Sequence, residues 1–133
     1  MSKSAIYTAN TNVQAVTVGG GINPGSIVRR FGCAIDLSGN TITIDDAGYY
    51  DVNVSITLAP TVAGTVTATL YNNGIAVTGA TASETVASAN DLVNLSFESI
   101  VRVFCSGNTG ALTLVLTGTN ANVSNVAVTV NKL

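Results

Sequence analysis

Residues 48–58 alternate without a break. Tyr50, Val52, Val54, Ile56 and Leu58 fall on one side of an extended backbone, and Tyr49, Asp51, Asn53, Ser55 and Thr57 on the other. Successive side chains of a strand point to opposite faces, so this is the pattern of a strand with one buried face. Pro60, which has no N–H to offer a ladder, marks its expected end. The same period sets Val66, Ala68 and Leu70 against Thr65, Thr67, Thr69 and Tyr71, and Val126, Val128 and Val130 against Asn125, Ala127, Thr129 and Asn131. Between residues 65–71 and 75–77 lies Asn72-Asn73-Gly74. Asparagine and glycine tolerate the positive φ of a type I′ turn, which predicts a hairpin there.

No stretch holds a helical period for about ten residues. Further strands are expected over residues 5–9, 13–18, 26–31, 34–37, 41–45, 92–98, 100–105, 112–117 and 123–131, separated by turn residues such as Asn23-Pro24-Gly25 and Ser38-Gly39-Asn40. Roughly ten short, evenly spaced strands predict a single all-β domain over 1–133, an antiparallel sandwich or barrel.

Charge is scarce. Charged residues make up 9% of the chain and hydrophobic ones 47%, where an average domain carries about 25% charged residues. The outward faces are written in Ser, Thr, Asn and Ala rather than in long charged side chains. Such small groups are buried at little cost in side-chain entropy, which points to faces covered by another subunit. The expected subunit interface comprises Tyr49, Asp51, Asn53, Ser55, Asn125, Ala127 and Thr129, joined by Arg102 and Phe104. Arg102 stands in an apolar strand and is expected to pair with Glu98, Asp51 or Asp36, within the chain or across a subunit boundary. Tyr7, Tyr49 and Tyr71 are expected to pack in the core or at an interface.

The chain has no histidine, which removes Ser-His-Asp and Cys-His catalysis. Asp45 and Asp46 are expected in a solvated turn, with calcium binding in an oligomer as the second reading. Gly19-Gly20-Gly21 has no Lys-Ser/Thr after it and reads as a connector rather than a phosphate loop. Of Arg29 and Arg30, strand geometry allows at most one to face a given neighbour. No catalytic residue, cofactor or metal site is expected. Two thiols without histidine do not complete a zinc shell. Cys33 and Cys105 are expected as small buried thiols, with pairing left open.

A net charge of −2 with five basic residues offers no stripe to neutralise phosphates, so nucleic acid is not an expected partner. No apolar run is long enough for a membrane helix. The start, Met-Ser-Lys-Ser-Ala, has no apolar segment of a secretory signal, so synthesis in a cytoplasm without signal-directed export is expected.

The order of several motifs resembles the tumour necrosis factor and complement globular-head superfamily. Ala5-Ile6-Tyr7-Thr8-Ala9 is similar to that family's first strand. Thr41-Ile42-Thr43-Ile44 followed by Ala47-Gly48-Tyr49-Tyr50 resembles its strand, turn and Gly-x-Tyr-aromatic stretch. Leu70-Tyr71-Asn72-Asn73-Gly74 is similar to its hairpin, and Val123-Ser124-Asn125-Val126 to its closing strand. Most of the family's aromatic positions are valine or alanine here. The resemblance implies a ten-stranded jelly-roll sandwich that assembles as a homotrimer. The whole sequence, including residues 28–33 and 100–105, also resembles small virion structural proteins of phages and prophages of gut Firmicutes. That implies a non-enzymatic capsid decoration or head-fibre module docked on a phage capsid or tail protein, located in the virion. The second functional reading is an adhesion module of a phage tail or cell surface that binds a receptor or glycan.

Overall fold

The computed structural model describes residues 3–104 and 109–133. Among them are twelve strands: β1 (Ala5–Asn10), β2 (Gln14–Val16), β3 (Gly21–Ile22), β4 (Ser26–Phe31), β5 (Ile35–Ser38), β6 (Thr41–Ile44), β7 (Gly48–Pro60), β8 (Gly64–Asn72), β9 (Ile75–Val86), β10 (Val93–Val103), β11 (Gly110–Thr117) and β12 (Ala121–Lys132). They form two antiparallel sheets. One runs β10-β7-β12-β1-β4, with β2 also on β12; the other runs β5-β6-β11-β8-β9, with β3 also on β11. The sheets pack face to face as a jelly-roll sandwich, as expected.

The alternation dictates what lies between them. Tyr50, Val52, Ile56 and Leu58 of β7 are fully buried, as are Val66, Ala68 and Leu116 of the facing sheet and Val123, Val126 and Val130 of β12. Such a core is built from β-branched and small aliphatic side chains that fill the gap between pleated surfaces. Tyr50 is the one large aromatic among the fully buried core side chains. Its hydroxyl donates to the Asp46 carbonyl at 2.8 Å, so the polar end of the ring is satisfied at the margin of the core.

The predicted hairpin forms with Asn72 opposite Ile75. Asn73 and Gly74 take φ of +54° and +81°, the left-handed values a type I′ turn demands. Other boundaries move. β7 continues through Pro60, which pairs with Ala121. Its missing N–H falls at the strand end, and its carbonyl accepts from the Asn90 N–H at 2.7 Å. The return strand of the hairpin runs to Val86 rather than Val77, because Gly79 at φ +81° and a register shift opposite Thr69/Tyr71 let the ladder absorb a break in alternation. The two expected strands over 92–98 and 100–105 are one strand, Val93–Val103, continuous through Ser99, with Cys105 outside the described residues, and Gly21–Ile22 of the glycine connector pairs with β11.

Cys33 is exposed, not buried. It follows Gly32, whose φ of +77° turns the chain out of β4 before β5 begins. Cys105, and with it any pairing of the two thiols, lies outside the described residues.

Candidate interface face

The outer face of the β10-β7-β12-β1-β4 sheet gathers the residues singled out from the sequence. Antiparallel register sets Arg102 opposite Tyr49, Ile100 opposite Asp51, Glu98 opposite Asn53 and Ser96 opposite Ser55. Across the other edge of β7, Thr129 meets Asn53, Ala127 meets Ser55 and Asn125 meets Thr57. Tyr7 of β1 then follows Thr129, and Arg29 of β4 follows Tyr7. All nine expected interface residues therefore share one face, Phe104 being held there by Arg102. At its centre the small side chains leave a shallow depression of about 380 Å³ lined by Asn53, Ser55, Ser96, Glu98, Ala127 and Thr129.

Large apolar groups surround that depression in the open. Tyr49 is 52% exposed, Ile100 60%, Phe104 58% and Phe31 66%. Aromatic groups and arginine are enriched at protein interfaces, and here they stand among small side chains with one acidic pair, Asp51 and Glu98. Ile100 is not among the expected interface residues, although its signal lies within the expected strand 100–105: Ile100, Arg102 and Phe104 alternate with the buried Val101 and Val103.

Within the chain, and among the described residues, Arg102 forms no ion pair with Glu98, Asp51 or Asp36. Its guanidinium carbon lies 4.5 Å from the centre of the Phe104 ring and 5.5 Å from that of Tyr49, a cation–π arrangement with both. Asp36 is taken instead by Arg30, at 2.9 Å. Glu98 and Asp51 approach each other diagonally across β10 and β7. A shared side-chain hydrogen bond with Asp51, together with that neighbour's negative charge, raises the Glu98 carboxyl above the ordinary value. Asp51 Oδ2 accepts from Asn53 Nδ2 at 3.3 Å, while Asp51 Oδ1 is buried with no hydrogen-bond partner when Glu98 is ionised.

At the end of the sandwich, Asp46 is not a free carboxylate in a solvated turn: its Oδ2 lies 2.6 Å from Lys132 Nζ. Asp45 stays apart from that bridge, lining with Phe31, Cys33 and Lys3 a broad concavity of about 840 Å³. Among the described residues, no three His, Cys, Asp or Glu side chains converge as a metal site. On the opposite sheet, the Thr65–Thr85, Thr67–Ser83 and Thr69–Thr81 hydroxyls pair at 2.8, 2.7 and 3.1 Å, so β8 and β9 present a neutral outer surface. Among the described residues, no helix is long and apolar enough to cross a membrane.

No family model matches this sequence, and no curated protein matches it. The fold does have solved counterparts. Murine APRIL superposes with a TM-score of 0.70 at 14% identity, over 99% of this chain and 100% of that one. The globular domain of zebrafish complement 1qA gives 0.64 at 7% identity, over 97% and 95%. The PRD1 vertex protein P5 gives 0.58 at 11% identity, over 98% and 96%. At these identities the likeness concerns architecture alone. The chain has the all-β jelly-roll fold of tumour necrosis factor-like and complement globular-head domains, as its motif order implied.

Proposed function

We propose that this chain is a non-enzymatic assembly module that closes on itself as a homotrimer through the outer face of the β10-β7-β12-β1-β4 sheet, and that it serves as a capsid decoration or head-fibre protein of a phage virion. The observation that carries the reading is that face: Tyr49, Ile100 and Phe104 exposed around mostly small side chains, with arginine over two of the rings. Burying such a surface removes apolar area from water and immobilises few long side chains. Three copies arranged by rotation close the surface, whereas an unclosed contact of this kind leads to filaments. The hydroxyl-paired sheet on the other side is left to face outward. The shared fold of a phage vertex protein supports the virion role, as does the resemblance to phage structural proteins.

Light scattering behind a sizing column tests the assembly. A mass near three chains of 13.4 kDa is expected, and a single-chain mass overturns it. Quantitative mass spectrometry of purified virions tests the role. Hundreds of copies per particle are expected for decoration; a handful, or none, overturns it, and a handful favours a receptor-binding tail tip.

A further inference from the structure

Two features of the outer face are incomplete within one chain. Arg102 forms no ion pair among the described residues, although Asp51 lies only two residue pairs along the β7–β10 ladder, in the next pair on the same face. It stacks on Phe104 and Tyr49 instead, on the edge strand of its sheet. Two acidic side chains, Asp51 and Glu98, stand diagonally together on the same face, and with both ionised the buried Asp51 Oδ1 has no donor. A buried acceptor without a partner costs free energy, and paired like charges cost more once water is expelled from them. Of the chain's five cations, Arg30 and Lys132 are already engaged with Asp36 and Asp46. Arg29 stands on β4, at the far edge of the sheet from β10, and Lys3 lines the concavity at the end of the sandwich.

We infer that the Arg102 guanidinium of one subunit docks on the ionised Asp51–Glu98 pair of the next copy, supplying the donor that the two carboxylates cannot give each other and fixing the register of the ring. This rests on the self-assembly reading above. A planar guanidinium braced between two rings is preorganised for bidentate contact with carboxylates, and the surrounding apolar groups exclude water from the pair. Because β10 is the edge of its sheet, Arg102 and Phe104 are positioned to reach over a neighbour's face rather than remain within their own.

The test compares solution masses of the wild-type chain, Arg102→Gln, Arg102→Glu and the double variant Arg102→Glu/Asp51→Lys, with circular dichroism to establish that each is folded. The expected result is a three-chain wild type and a folded single-chain Arg102→Glu, with the three-chain mass restored in the double variant. Arg102→Gln is expected to raise the concentration of half-dissociation on the order of tenfold or more. A wild type of single-chain mass overturns the self-assembly reading itself. A three-chain wild type whose mass Arg102→Gln and Arg102→Glu leave unchanged overturns the pairing alone. So does a double variant that stays dissociated, since packing rather than charge then explains the loss. Should Arg102→Glu fail to fold, the half-dissociation concentration of Arg102→Gln decides, and no shift overturns the pairing.

Discussion

Lys132 Nζ lies 2.6 Å from Asp46 Oδ2, a bridge that fastens the last strand to the turn between β6 and β7 across 86 residues of sequence. Lys132 is largely buried on its stem, and the Asp46 carbonyl in the same turn receives the Tyr50 hydroxyl. One corner of the sandwich is thereby held by an ion pair and a hydrogen bond from adjacent strands.

That bridge sets a pH window. The hydrogen bond and charge of Lys132 lower the Asp46 carboxyl below 3.8, and the hydrogen bond to Asp46 raises Lys132 above 10.5. The Asp46 contribution to stability is present above pH 3.8 and is lost as pH falls through the lowered value. The Lys132 contribution is present below pH 10.5 and is lost as pH rises through the raised one. In Lys132→Met, thermal unfolding across acid pH is expected to lose the part of its slope that belongs to Asp46. An unchanged profile counts against the bridge.

Glu98 behaves in the opposite sense to Asp46. Its carboxyl is raised by the Asp51 side chain, so the folded chain binds that proton more tightly than the unfolded one. The resulting contribution is full below the ordinary value of 4.5 and is lost as pH rises through the raised value. Carboxyl NMR of Asp51→Asn is expected to show Glu98 titrating lower than in the wild type, because both the shared hydrogen bond and the negative neighbour are gone. A Glu98 titration that does not move would show that some other group perturbs it.

Gly118 precedes β12 at φ +93°, and a side-chain carbon there would overlap the Thr65 backbone carbonyl. Gly118→Ala is expected to destabilise the fold by at least about 1–3 kcal/mol from backbone conformation alone, with the overlap adding to it. Gly39, at φ +59° but with open space around it, provides the control. Denaturant titration of the two variants should separate them, Gly39→Ala being the milder. Equal losses would contradict the packing at Thr65.

Ile56 and Ile100 are the same residue on opposite faces of one sheet. Ile56 is fully buried, whereas Ile100 is 60% exposed. Ile56→Ala is expected to cost about 2–5 kcal/mol in unfolding free energy through the cavity it leaves. Ile100→Ala is expected to leave the stability of an isolated chain within about 0.5 kcal/mol and to act instead on the solution mass at low concentration. A large stability loss for Ile100→Ala in the dissociated chain would mean that its side chain belongs to the core.

Much of this arrangement is legible in local sequence. Which side of β7 is buried follows from the two-residue period of Tyr50 to Leu58, and the Asn73-Gly74 turn follows from which residues accept positive φ. Alternation puts the candidates within each strand on one side of it, but that β7, β10 and β12 bring them to one common face follows from their pairing in one sheet. What local sequence left open was pairing. The merging of the two segments at Ser99 depends on β10 lying along the whole of β7. The extension of β9 past Gly79 depends in the same way on β8 continuing to offer it a ladder.

The charged groups divide along the same line. That they are few, and that no histidine is present to activate a nucleophile, was determined by the sequence itself. Which of them meet was decided only by the tertiary structure. Asp36 goes to Arg30, Asp46 goes to a lysine 86 residues away, and Arg102 is left on two aromatic rings beside an acidic pair. Strand alternation reports the face on which a side chain stands, because it is a property of the backbone alone. An ion pair depends on sheet order and register, which arise only when distant strands come together.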